Sequence, residues 1–299
     1  MRTTIRNGTV LAWQGERHEV LKRGEVVFEG NEITFVGEAY EGAVDEVVDA
    51  TGRLVIPGLI NGHLHVTDTP FTKGYLEDTG SSANTAQAQN FVSLYKILPE
   101  VRHATDGDAQ VVAAECAFAE LARTGSTTVV ELGYDYEVGG DGDIVLTERV
   151  ADVAGKMGLR CYSGPRYRTK HYGYDGDGPV FYRDYDGRGW PRFENCVDFC
   201  ERFNGRYDDR LRTMLAPGQV DTCDADILEA TRQAADRTGL PIQIHAGQSP
   251  NEYQRVLSTQ GKTTVEYLRD TGLLGSDFII GHGQCMTADG DMNSMSADE

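Results

Sequence analysis

Seven histidines occur in the chain, at His18, His63, His65, His103, His171, His245 and His282. Four of them share one address, the end of an apolar run that reads as a β-strand. His63 and His65 close IPGLINGHLHV, His245 closes LPIQIHAG, and His282 closes DFIIGHGQC. Residues i and i+2 of a strand project from the same face, so His63 and His65 point side by side. The carboxyl ends of parallel barrel strands are where active sites are assembled. Four imidazoles converging there offer neutral nitrogen donors, a set suited to zinc or iron. A single His-x-His pair is more often a surface feature, and a single strand-end histidine a packing residue. The coincidence of four such positions is what points to a metal.

The elements that must position these histidines follow from the pattern of apolar residues. Residues 1–56 carry short β runs (TIRNGTVLAW, EVVFEG, EITFVGEA, RLVIPG) with turn signals at Asn7-Gly8, Glu29-Gly30-Asn31 and Thr51-Gly52, and no helical period. They predict a small all-β layer. After Pro57-Gly58 strands and helices alternate. Strands are expected at 59–66, 126–132, 159–162, 211–215, 241–245 and 277–282, and helices at 108–124, 144–157, 194–203, 226–238 and 263–271. Such alternation predicts a parallel sheet with helical crossovers, and six of its strands can be counted. Two long interruptions, 67–107 and 164–192, follow the first and third strands, where barrel enzymes place substrate contacts. The Asp-Gly-Asp pieces of the second lack the spacing and terminal glutamate of a calcium loop and read as solvated acidic loop.

Composition narrows the partners. The 299 residues carry 47 acidic and 28 basic side chains, a formal charge of −19 spread along the chain. That excludes a nucleic-acid backbone and an anionic membrane surface as partners and leaves a small-molecule substrate. No run of apolar residues is long enough to span a bilayer, and MRTTIRNGTV lacks the form of a secretion signal, so the expected location is cytoplasmic. Aspartate is abundant and lysine scarce, as in proteins of high-salt cytoplasm, although an acidic enzyme of ordinary salinity would share much of this balance. The six cysteines, at Cys116, Cys161, Cys196, Cys200, Cys223 and Cys285, form no Cys-x-x-Cys pair. Cys196 and Cys200 share one helix face but have no nearby partners for a zinc site, so all six read as buried free thiols.

The stretch Ile56-Pro57-Gly58-Leu59-Ile60-Asn61-Gly62-His63-Leu64-His65 resembles the signature of the amidohydrolase superfamily. The likeness continues through the preceding β layer, the GSTTVVE strand, the segment TMLAPGQVDTCDADILEATRQAADRTGLPIQIHAG and IIGHGQC, covering essentially the whole chain. It is strongest to the branch of cytosine and guanine deaminases and chlorohydrolases. The resemblance implies a (β/α)8 TIM-type barrel over residues 57–299 and a small β-sandwich part over 1–56. It implies one divalent metal, zinc or alternatively iron, held by His63, His65 and His245. His282 would contact the metal or the water and tetrahedral intermediate upon it. The activity implied is hydrolysis of carbon–nitrogen, non-peptide bonds in a small nitrogenous compound, through water activated by the metal. A homo-oligomer is compatible with barrels of this kind.

Several features qualify the likeness. Where the deaminase branch has a proton-shuttling glutamate three residues after the fifth-strand histidine, this chain has Gln248, which can orient water or substrate but carries no proton at neutral pH. Glu252 is close in sequence. Where the family often has a histidine after the fourth-strand proline, this chain has Gly218 and then Gln219. No lysine ends the strand at 211–215, which favours one metal over a lysine-bridged pair. Finally, 17 residues follow His282 (299 − 282), whereas two more strand–helix units need about sixty. Asp289, Asp291 and Asp298 lie in that polar tail and are not assigned as the eighth-strand acid. An incomplete barrel is therefore expected, with a catalytically inactive metal-binding remnant as the alternative to an active enzyme.

Overall fold

A computed structural model describes residues 1–76, 98–133, 142–174 and 180–286. It divides into two compact units, with the boundary between Leu59 and Ile60.

The first unit is a five-stranded sheet of β1 (Arg2–Trp13), β2 (His18–Glu29), β3 (Glu32–Gly37), β4 (Glu46–Asp49) and β5 (Leu54–Val55). The order is β3-β2-β1-β4, and β5 also pairs with β1. Val10, Ala12 and Val26 form its small core, with Ile5, Leu21, Val36 and Val55 against them. Asn7-Gly8 makes no turn: β1 runs straight through it. The register against β2 slips on both sides of Gly8, and Asn7 takes a φ of 65°. A bulge uses the same left-handed backbone that a hairpin turn does, so the dipeptide alone does not separate the two.

The second unit begins with β6 (Leu59–Leu64) and alternates strands with helices. Sheet neighbours run in chain order from β6 through β7 (Ser126–Leu132) and β8 (Arg160–Gly164) to β12 (Leu211–Thr213). The β7–β8 and β8–β12 ladders are parallel. Short β9 (Arg166–Tyr167) pairs in parallel with β13 (Ala216–Pro217). A parallel bridge from Leu215 to Ile242 carries the order on to β14 (Ile242–Ala246), which pairs in parallel with β15 (Phe278–His282). The helices between them are α1 (Thr69–Leu76), α2 (Leu98–Ala104), α3 (Gly107–Arg123), α4 (Gly142–Met157), α5 (Gly189–Phe203), α6 (Ala225–Thr238), α7 (Pro250–Gln260) and α8 (Thr264–Asp270). This is an α/β architecture.

The two faces of β14 separate apolar from polar residues. On β14, Ile242, Ile244 and Ala246 join the large core that also contains Phe118, Phe199, Ile227 and Leu228. Each such large side chain contributes about 2–3 kcal/mol by leaving water. Gln243 and His245 point from the opposite face. Helix ends are set locally: the Asp106 side chain accepts from the Ala109 amide at 2.8 Å, and left-handed Gly239 and Gly261 close α6 and α7.

The segments read as loops contain structure. Antiparallel β10 (Lys170–Tyr174) and β11 (Val180–Asp184) form a hairpin within 164–192, and α1 and α2 lie within 67–107. Asp175 and Asp177 of the calcium-like pieces, and Asp289, Asp291 and Asp298, lie outside the described residues. Cys116 is exposed, against expectation, while the other five cysteines are buried thiols. Cys196 and Cys200 both turn their S–H toward the Met214 carbonyl, which accounts for their spacing without a metal.

Candidate metal centre

His63 and His65 leave the same face of the chain at the end of β6, and His245 ends the polar face of β14. One nitrogen from each of these three rings lies within 4.8 Å of the others. His282 completes the group, its ring 4.8 Å from that of His63 and 5.2 Å from that of His245. Strand alternation alone would turn His282 away, because it follows Phe278 and Ile280, which pack on the core. Its backbone adopts a φ of 82° at the last strand position, the left-handed region, and the ring reaches the other three. Close approach is needed elsewhere too: a Cβ on Gly281 would sit 2.7 Å from Cε1 of His63.

The hydrogen bonds order the protons. His245 Nδ1 donates to the Gly218 carbonyl at 2.5 Å, which leaves the lone pair on Nε2. Arg166 donates from Nη2 to His65 Nδ1 at 3.3 Å and to the Leu132 carbonyl at 3.0 Å. With its Nδ1 accepting, His65 carries its proton on Nε2, directed at His245 Nε2 2.9 Å away. Both ring nitrogens of His63 are buried without a hydrogen-bond partner. Gln243 approaches that ring, but its Nε2 donates to the Gly62 carbonyl at 2.8 Å.

All three buried rings are held neutral. Burial depresses His63, and the Arg166 guanidinium adds to the effect. Burial also pushes His245 well below its ordinary value, with Arg166 and the neighbouring imidazoles working the same way. His282 falls to about 4 for the same reason. Imidazole nitrogens gathered at one place, with the Nε2 lone pair of His245 free of any carbonyl and neither nitrogen of His63 hydrogen-bonded, fit a divalent metal of the zinc or iron type. The fit is best at His63, His65 and His245. Ligation through His65 Nε2 would require the proton between His65 and His245 to leave that nitrogen.

Gln248 lies on the loop after β14, its backbone amide bonded at 3.1 Å to Glu252 Oε2. Glu252 is fully buried and also accepts from the Gly247 amide at 2.5 Å and from Gln219 Nε2 at 3.4 Å. Burial and nearby Asp221 push its carboxyl well up. Arg166 and Gln243 escaped the sequence reading. Arg166 stood in a stretch read as loop, although it directly follows the third parallel strand. Gln243 stands two residues before His245, and strand alternation puts it on the same face.

A family model described as amidohydrolase family matches residues 54–298. A 5'-deoxyadenosine deaminase of Methanothermobacter thermautotrophicus is 29% identical over 88% of this chain and 54% of its own length. A 5-methylthioadenosine/S-adenosylhomocysteine deaminase of Halobacterium salinarum is 27% identical over 87% of this chain and 52% of its own. The chain thus spans about half the length of these curated relatives. Among solved structures, a zinc-bound adenosine deaminase from Xanthomonas campestris superposes with a TM-score of 0.71 at 20% identity, over 95% of this chain and 58% of its own. A triazine hydrolase from Arthrobacter aurescens gives 0.72 at 19% identity, over 94% and 60%. At these identities the structural likeness speaks to the fold alone.

Proposed function

The chain belongs to the amidohydrolase family, and from that premise we propose that it is a metal-dependent hydrolase of carbon–nitrogen, non-peptide bonds in a small nitrogenous compound. The observation that carries the proposal is the trio of imidazoles gathered at His63, His65 and His245, with burial holding His63 and His245 neutral. Deaminases among the curated relatives support the reaction type, and zinc in a structural neighbour supports zinc over iron. The parallel strands in chain order support a (β/α)8 barrel over 57–299, of which the described residues include β6, β7, β8, β12, β14 and β15. Residues 1–56 supply the β part of a composite sandwich. As part of the same reading the enzyme works in the cytoplasm; among the described residues no helix is long and apolar enough to cross a membrane.

His63, His65 and His245 hold the metal. When bound, a zinc ion supplies a water whose pKa is brought toward about 7, so attack is available at neutral pH. His282, neutral through burial, would hydrogen-bond the attacking water or the developing oxyanion beside the cluster. Gln248 orients the substrate through its amide and carries no proton. His245 keeps its ligating Nε2 free because Nδ1 stays bonded to Gly218.

Metal content per chain tests this. About one zinc or iron per folded chain is expected in the wild type, and a large loss in His63→Ala and His65→Ala with circular dichroism unchanged. Ammonia release from adenine nucleosides is the first activity to assay with the metal-loaded protein. Metal content that is the same in wild type and both variants would sink the proposal.

A further inference from the structure

Glu252 occupies the third position of α7, after Ser249 as N-cap and Pro250. The sequence Ser249-x-x-Glu252 has the form of a capping box, in which the glutamate returns to the amide of the cap residue. Half of the box is present: Ser249 Oγ accepts from the Glu252 amide at 3.2 Å. The glutamate side chain goes elsewhere. Its two oxygens take the Gly247 and Gln248 amides and the side-chain amide of Gln219. A complete capping box exists one helix later, where exposed Glu266 returns to the amide and hydroxyl of Thr263. Glu252 by contrast is 0% exposed. A buried carboxylate costs several kcal/mol unless its donors compensate, so a cap alone does not require this placement.

What the three donors share is their position. Gln219 follows Gly218, whose carbonyl receives both the backbone amide and Nδ1 of His245. The Gly247 carbonyl in turn accepts from the Gln284 and Cys285 amides at 2.8 and 2.9 Å, which fixes the loop just after His282. The segments after β13 and β14 therefore meet at one carboxylate, and the segment after β15 is tied to them through the Gly247 carbonyl. We infer that Glu252 is a positioning residue of the histidine centre, clamping the first two segments directly and, through the Gly218 carbonyl, fixing the ring of His245. The inference rests on the proposal that His245 is a metal ligand. Outer partners of this kind typically change metal affinity 10–100-fold when removed.

The experiment uses the full chain with Glu252→Gln, which is isosteric but opposes one backbone N–H with an amide NH2, and with Gln219→Leu as a milder variant that removes one arm. Glu266→Gln, which touches only the ordinary capping box, is the control. Zinc dissociation constants come from chelator competition, and the His245 tautomer from long-range 15N NMR of the zinc-free protein. Glu252→Gln is expected to weaken zinc 10–100-fold and Gln219→Leu less, with loss of the single Nδ1–H tautomer. The control is expected to lower the melting temperature while leaving zinc affinity and tautomer alone. Zinc affinity within twofold of wild type and an unchanged tautomer in both folded variants would overturn the inference. If the wild type itself takes up no zinc, the metal-centre reading falls, and the tautomer of His245 still decides the role of Glu252. If Glu252→Gln does not fold, Gln219→Leu decides on the same two readouts.

Discussion

Glu131 lies on β7 on the same face as Val129, which packs in the main core, and it is 1% exposed. Ser163 Oγ donates to one carboxyl oxygen at 3.1 Å, and the other has no hydrogen-bond partner. Burial pushes this carboxyl up to about 8, against the pull of Arg166. A folded-state value above the unfolded one means stability that is present below the unfolded value and lost as pH rises through the folded one. Glu252, also buried with its carboxyl pushed well up, and the buried histidines, whose unfolded forms titrate at about 6.5, add slopes of their own, so the signature of Glu131 is the difference between wild type and variant. On the account of Glu131 alone, stability is expected to fall by about 2 kcal/mol between pH 6.5 and 8.5. In Glu131→Gln that contribution disappears. Urea unfolding of both proteins at the two pH values checks it; parallel pH profiles for the pair would exclude Glu131 as the source.

At the scale of elements, the centre depends on how closely β15 approaches the end of β6. His63 lies against the backbone of β15, where a Cβ on Gly281 would come within 2.7 Å of Cε1 and 2.9 Å of Nδ1. Gly281→Ala is expected to displace the His63 ring and weaken zinc at least tenfold while secondary structure persists. Chelator competition alongside circular dichroism measures both. The central strands were legible in sequence because burial on two faces leaves near-continuous apolar runs, and β7 has the bounds Ser126–Leu132 that STTVVEL predicts. The address of the histidines was legible for the same reason, since apolar runs end where the strand does. Helix α7 was not: among its eleven residues only Tyr253 and Val256 are buried apolar side chains, and the third buried residue is Glu252, so its apolar periodicity is faint. The turn of His282 toward the cluster was also hidden, because a left-handed backbone on a non-glycine residue leaves no trace in composition. Arg166 was obscured by the interruption it opens, since β10 mixes tyrosine with polar and glycine residues and β11 offers only Val180, Phe181 and Tyr182 as an apolar run.

For the molecule as a whole the dominant long-range force is its own charge. A formal −19 on 299 residues leaves at least 19 of the 47 acidic side chains (47 − 28) without a basic counterpart. Ion pairs on the surface, such as Arg2 with Glu29 at 2.8 Å and Arg149 with Asp108 at 2.7 Å, involve half-exposed side chains and contribute at most about 1 kcal/mol each. Salt weakens these pairs and the general repulsion together. The two differ in reach: a paired oxygen and nitrogen lie well inside the screening length at any moderate salt, whereas unpaired carboxylates repel across it. That length falls from about 10 Å at 0.1 M to about 3 Å at 1 M, so repulsion is lost first. Self-repulsion destabilises the compact state, so its removal stabilises it. The melting temperature is therefore expected to rise as potassium chloride increases from 0.1 to 2 M, with most of the gain below 1 M. Sodium chloride is expected to match it, because screening depends on ionic strength. Differential scanning fluorimetry at fixed pH 7 measures the effect. A melting temperature that falls across this range would show that the surface ion pairs outweigh the excess negative charge, and would overturn the argument from charge balance.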